Sequence, residues 1–128
     1  MATKPCPTEH QEQAAFFQWW WMWAKGLPYL AFAIPNGGAR NKVTGAMLKR
    51  EGVMAGMLDV FIAWPRNGKH GLFLEFKRQQ GGKLSDAQKQ AIEALEKAGY
   101  ECHVVAGWEV AKNVVMEYAL SAEPFSNF

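Results

Sequence analysis

Two apolar runs meet across an Asn-Gly turn, and this constrains the fold more than any other part of the chain. Met57 to Trp64 centres on Val60, Phe61 and Ile62, and His70 to Lys77 carries Leu72, Phe73 and Leu74. The link Pro65 to Lys69 holds Asn67-Gly68, a pair that tolerates the left-handed backbone of a tight hairpin turn. Two adjacent strands are therefore expected. Ser85 then caps a long helix with Gln88 as its capping-box partner; Ala87, Ala91, Leu95 and Ala98 line its apolar face and Gly99 ends it. A further strand follows at Glu101 to Ala106. A helix of that length can cross the sheet, so the strands on either side of it should be parallel. The expected fold class is α/β: a mixed sheet with helices on both faces.

The flanking segments complete the order. Thr8 and Gln11 form a capping box for a helix from about Glu9 to Ala24, stopped by Gly26 and Pro28. Phe16, Trp20 and Trp23 share one stripe of it, and Phe17, Trp19, Trp21 and Met22 cover most of the rest. A helix this apolar is buried on both sides or half-covered by a second subunit, and a homodimer face is the expectation. Tyr29 to Ile34 reads as a strand ended by Pro35, and Asn36-Gly37-Gly38 as a turn. Lys42 to Glu51 reads as a loop and a short helix closed by Gly52. Gln79 to Lys83 is a polar link. Trp108 to Leu120 is a final helix with Val110, Val114, Met116 and Tyr118 apolar.

At 128 residues the chain suits one domain. The expected division is a loose segment at 1–7, a single domain at 8–120 and a tail at 121–128. Hydrophobic residues make up 49%, enough for a core, and no apolar run reaches membrane-span length. No signal-peptide pattern precedes the domain, and Cys6 and Cys102 form neither a disulfide framework nor a zinc pair, so a reducing cytoplasm is the expected setting. The net charge of +2 is unevenly spread. Arg40, Lys42, Lys49, Arg50, Arg66, Lys69, Lys77, Arg78 and Lys83 make the middle basic, whereas the end carries mostly glutamates. Such a division suits one face made for a polyanion, or a merely mixed and solvated surface.

The residues that could do chemistry centre on the third strand, Gly71-Leu72-Phe73-Leu74-Glu75-Phe76-Lys77. Alternation puts Leu72, Leu74 and Phe76 on one face and Phe73, Glu75 and Lys77 on the other. Asp59 opens the partner strand, so Asp59 and Glu75 can converge on one cation. Two hard carboxylates with open positions suit Mg²⁺, and Lys77 beside them can orient a water or stabilise charge on phosphate. Read alone, Glu75 and Lys77 are also a solvated strand-end pair and Asp59 a strand-start acid. Three charges on two apolar strands are costly unless paired or metal-bound. His10, His70 and His103 are too scattered for zinc. Trp108 and Tyr100 read as core.

Asp59 followed by Glu75-Phe76-Lys77 resembles the PD-(D/E)XK nuclease core, and the wider text resembles the VRR-NUC (virus-type replication-repair nuclease) domain. The matching pieces are Glu9-x-x-x-Gln13, Ile34-Pro35-Asn36-Gly37-Gly38 and Gly52-Val53-Met54-Ala55-Gly56-Met57-Leu58-Asp59. They continue with Gly71 to Lys77, Lys83-Leu84-Ser85-Asp86-Ala87-Gln88 and Ala98-Gly99-Tyr100. The set covers most of the chain in order. Leu58 stands where the superfamily name has proline.

The resemblance implies a restriction-endonuclease-like sheet with an α-β-β-β-α-β core. It implies a Mg²⁺-dependent, structure-selective DNA endonuclease, with Mn²⁺ as a substitute, cutting branched, Holliday-junction-like DNA to leave a 5′ phosphate, in a setting such as DNA repair; the family's stand-alone members are small, often phage-encoded and similar to Holliday-junction resolvases. Asp59 and Glu75 would hold the metal, with the Phe76 backbone carbonyl as a further ligand. Lys77 would position the attacking water. Glu9 would add a carboxylate from the first helix, with Glu12 as the alternate, although Glu9 is also a first-turn acid favoured by the helix dipole. Gln88 would hold the water or the phosphate, and is a capping-box residue as well. Arg40, Lys42, Lys49, Arg50, Lys69, Arg78 and Lys83 are candidates for phosphate contacts. The rivals are a restriction-like or exonuclease activity on duplex DNA and a non-catalytic DNA-binding module on the same fold.

Overall fold

The computed structural model describes residues 5–35 and 42–121. The Asn36-Gly37-Gly38 turn, Arg40 and the tail after Ser121 lie outside the described residues. Helix α1 spans Glu9–Trp23 and begins on the expected capping box: the Gln11 N–H donates to the Thr8 hydroxyl at 3.1 Å, and the Thr8 N–H to the Gln11 side chain at 2.9 Å. Strand β1 (Leu30–Ala33) is followed by α2 (Lys42–Arg50), then β2 (Val60–Ala63) and β3 (Leu72–Lys77). The turn between β2 and β3 has Asn67 at φ 51° and Gly68 at φ 77°, and Arg66 and Lys69 exchange both backbone hydrogen bonds across it. That is the hairpin the Asn-Gly pair favours. Helix α3 (Asp86–Lys97) crosses to β4 (Glu101–Ala106), and α4 (Trp108–Leu120) closes the fold.

The sheet order is β1-β2-β3-β4. The first two pairings are antiparallel and β3 pairs with β4 in parallel, with Leu72 opposite Glu101 and Lys77 opposite Ala106. Alternation along β3 divides the core in two. Leu72, Leu74 and Phe76 pack with Phe16, Phe17 and Trp20 of α1 and with Ala111, Val115 and Tyr118 of α4. Phe73, on the other face, packs with Leu58 and Ala91, flanked by Ile92, Leu95 and Tyr100. Leu58, at the position of the superfamily's proline, is fully buried there. Two clasps secure the end of the sheet near the hairpin. Arg66 donates to the carbonyls of Ala119 and Ser121 at 2.6 and 2.8 Å, and the Tyr118 hydroxyl donates to the Trp64 carbonyl.

Several boundaries and faces differ from the sequence reading. Helix occupies the whole of Lys42–Arg50 with no leading loop, because one internal glycine costs only about 1 kcal/mol and there is no proline. Strands β1, β2 and β3 are shorter at their ends than the apolar runs; Met57, Leu58 and His70 lie outside the ladders. On α4 the face turned inward is Ala111, Val115 and Tyr118, at i, i+4 and i+7, while Val110 and Met116 are exposed. On α3, Ala91, Ile92 and Leu95 meet the core and Ala98 is exposed as the C-cap residue. Ala87 abuts Gly56 instead.

Gly56 sits at φ +83°, and a Cβ built there would lie 2.6 Å from the Ala87 Cβ and 2.8 Å from the Ala87 carbonyl carbon. That contact seats the first turn of α3 against the segment leading to Asp59. Gly56→Ala is expected to destabilise the fold by about 1–3 kcal/mol through overpacking and backbone strain. A urea-unfolding midpoint equal to that of the unsubstituted protein would show that the contact is not tight.

Candidate active site

The site forms where the antiparallel ladder of β2 and β3 runs out. Val60 pairs with Leu74, so beyond that pair β3 continues through Glu75, Phe76 and Lys77 with no β2 residue opposite. Asp59 fills the gap. Its own N–H donates to the Leu74 carbonyl at 3.1 Å, and its Oδ2 accepts from the Phe76 N–H at 2.8 Å. A strand residue directs its N–H and C=O to the same edge, so the Phe76 carbonyl points to the edge that Asp59 lines.

Glu75 is almost wholly buried, at 1% exposure. Its Oε2 takes the Gln88 amide at 2.7 Å and the Lys77 ammonium at 3.2 Å. Its Oε1 is buried with no hydrogen-bond partner. Gln88 reaches Glu75 from the first turn of α3 while completing the cap of that helix. Its Oε1 accepts from the Ser85 N–H at 2.9 Å and from Lys77 Nζ at 3.0 Å. The capping and site readings of Gln88 are thus two uses of one amide. Lys77 spends two of its three N–H bonds on Glu75 and Gln88, leaving the third for a water or phosphate oxygen.

Burial, more than any neighbour, pushes the Glu75 carboxyl up to about 7, and the Asp59 charge adds to it against the opposing effect of Lys77. Burial also raises Asp59, opposed by its bond from the Phe76 N–H. Glu9 acts on both: its negative charge raises each of the two carboxyls. A doubly charged cation would relieve all these costs together. A buried carboxylate oxygen without a partner, a second carboxylate and a backbone carbonyl form an all-oxygen donor set that fits Mg²⁺, whose remaining positions go to water and phosphate. Among the described residues, no three His, Cys, Asp or Glu side chains gather into a fuller metal cage.

The VRR-NUC domain profile matches residues 6–108, about four fifths of the chain. The chain belongs to the VRR-NUC domain family. A solved structure described as a VRR_NUC domain protein is similar in fold, with a TM-score of 0.74 and 28% identity over 93% of this chain and 94% of that one. No curated protein matches the sequence. The VRR-NUC domain has the PD-(D/E)XK nuclease fold, and the four-stranded sheet between α1 and α4 on one face and α3 on the other has that form.

The remaining sequence-chosen residues are distributed unevenly around this VRR-NUC site. Glu12 is buried and both its oxygens are committed elsewhere, to Gln79 and to the start of α4. Arg78 and Lys83 are exposed on the link that follows Lys77. Lys49 and Arg50 are exposed at the end of α2, next to a groove of about 370 Å³ that Glu51, Gly52 and Val53 share with Ile34 and Met57. Lys69 is not brought to the site: it lies in the hairpin turn, at the opposite end of β3 from Lys77. Arg40 falls outside the described residues, and the side chain of Lys42 is likewise not described. Sequence reasoning missed Gln79 and Gly107, which surround Glu12. No motif marks Gln79, and a helix N-cap glycine without a capping side chain was the one available signal.

The raised Glu75 carboxyl fixes the sign of a pH dependence. The folded protein without metal holds this proton more tightly than the unfolded chain does. The stabilising contribution is therefore complete below the ordinary glutamate value and is lost as pH rises through about 7. The melting temperature of the metal-free protein is expected to fall between pH 5 and 8. Glu75→Gln should flatten that fall. A wild-type curve already flat over this range would show the carboxylate to be relieved in some other way.

Proposed function

We propose that this VRR-NUC domain is a divalent-metal-dependent DNA endonuclease that hydrolyses phosphodiester bonds, preferring branched, Holliday-junction-like DNA. The observation that carries the reading is the buried Glu75, with one oxygen held by Lys77 and Gln88 and the other without a partner beside Asp59. A structural ion pair would use both oxygens or sit in water. Asp59, Glu75 and the Phe76 carbonyl would hold the cation, and Glu9 would contribute through its charge or through water. When bound, Mg²⁺ or Mn²⁺ would polarise the scissile phosphate and lower the pKa of the attacking water. Lys77 orients that water with its third N–H and offsets charge growing on the phosphate. Gln88 fixes the Lys77 ammonium. Lys49, Arg50, Arg78 and Lys83 would contact phosphates without reading sequence, with Arg40 and Lys42 joining them.

A homodimer is part of this proposal, because two sites are needed to cut opposite strands of a junction. Its support is the apolar surface beside the sheet edge: Trp21 and Met22 of α1 are 67% and 78% exposed, and Leu30 and Phe32 of β1 are exposed as well. β1 ends the sheet, so its outer backbone edge can pair with another strand. Light scattering is expected to give twice the chain mass, and a monomer at high concentration would remove this part of the proposal.

The central test is incubation with labelled four-way junction and linear duplex DNA in Mg²⁺, Mn²⁺ or EDTA. Cutting is expected in either metal, to stop in EDTA and to be faster on the junction. Lys77→Ala should slow it roughly 10²–10³-fold, and Asp59→Ala at least as much. Faster cutting of duplex ends would favour the exonuclease reading, and junction binding without cutting would favour a non-catalytic module. Activity that survives both substitutions would place the chemistry elsewhere.

A further inference from the structure

Glu12 is a buried carboxylate that the proposed chemistry does not use. It lies one turn along α1 from Glu9 and is 2% exposed. Its Oε2 accepts from the Gln79 amide at 2.7 Å, and its Oε1 from the Trp108 N–H at 3.2 Å. Trp108 is the first residue of α4, and the residue before it, Gly107, gives that helix no side-chain cap. Gly107 sits at φ +107°, and a Cβ there would come within 3.1 Å of both Glu12 Oε2 and Gln79 Nε2. Helix α4 thus receives its cap from a side chain 96 residues away, and a glycine leaves room for it. A carboxylate at a helix N-terminus also meets the positive end of the helix dipole.

The body of α1 does not need this anchor, since Phe16, Phe17 and Trp20 already bury it against the sheet. The first turn does. Among the described residues, the hydrogen bonds of that turn apart from those of Glu12 are local ones to Thr8. Gln79 follows Lys77 by two residues, so the anchor joins the first turn of α1 to the end of β3 where Glu75 and Lys77 stand. We propose that Glu12 is a positioning residue: clamped between Gln79 and the start of α4, it fixes the first turn of α1 so that the exposed Glu9 keeps its charge within electrostatic reach of the Asp59–Glu75 pair. This rests on the nuclease reading for the metal that Glu9 serves. It assigns Glu12 to the placement of the neighbouring carboxylate and not to the cation itself.

The test is a double-mutant cycle of Glu12→Gln and Glu9→Ala. Mn²⁺ binding is measured by calorimetry in the absence of DNA, and four-way-junction cutting alongside it. Glu12→Gln should weaken Mn²⁺ binding about tenfold, as losses behind a metal ligand do. It should add nothing in the Glu9→Ala background. Hydrogen exchange of metal-free Glu12→Ala, which leaves the Trp108 N–H without that acceptor, should show the amide losing protection. Gln79→Ala, at an exposed position that leaves the Trp108 bond in place, should weaken Mn²⁺ binding about fivefold and serves if Glu12→Gln does not fold. Equal losses with and without Glu9, or unchanged Mn²⁺ affinity once Trp108 is unprotected, would overturn the assignment. Wild-type protein that binds Mn²⁺ but cuts no DNA would overturn the nuclease reading alone, with the cycle still deciding Glu12. Protein that does neither would overturn both.

Discussion

The structure depends on a carboxylate placed where water cannot reach it. Glu75 occupies a position on β3 that hydrophobic residues hold on either side, and burying an ionised group there is costly. The fold offsets that cost only in part, through one ammonium and one amide on a single oxygen. The surroundings set both the cost, which the charge of Asp59 increases, and the partners that offset it. The ladder between β2 and β3 stops early to admit Asp59, α3 begins where Gln88 can reach across, and Lys77 ends β3 on the same face. The residual imbalance is a second oxygen without a donor, the cost that the proposed cation would relieve. On that reading, removing the imbalance would make a steadier protein and a poorer binder.

Much of this was legible in the sequence because it is local. Asn67-Gly68 determines a hairpin within four residues, Thr8/Gln11 and Ser85/Gln88 each mark a helix start, and alternation along Leu72 to Lys77 assigns every side chain to a face. Asp59 could be set beside Glu75 because a hairpin brings its strands together in a known way. The layer arrangement followed from one crossover helix. The ordered motifs pointed to the VRR-NUC family, to which the chain belongs.

What escaped the sequence depended on distance along the chain. The inward face of α4 is chosen by what α1 and the sheet leave open, so Ala111 and Val115 lie inside while the equally apolar Val110 and Met116 stay out. Glu12 and Glu9 are one turn apart on one helix, and nothing local separates their surroundings; the partners that do so, Gln79 and Trp108, come from far downstream. Lys69 grouped with Arg78 and Lys83 by charge, but a strand stands between them and carries it to the other end of the sheet. Charge clusters in sequence become clusters in space only when the chain doubles back.

Helix α4 has one more consequence, for the order in which the molecule assembles. Gly107 gives it no cap of its own at the start, and at the finish Arg66 reaches from the hairpin to occupy its last carbonyls. Both fasteners come from segments made earlier in the chain and brought in only by tertiary structure. An isolated helix of 13 residues is marginal in water. This one should gain its turns only after the hairpin and the first helix are in place, so it reports the completed domain and does not seed it.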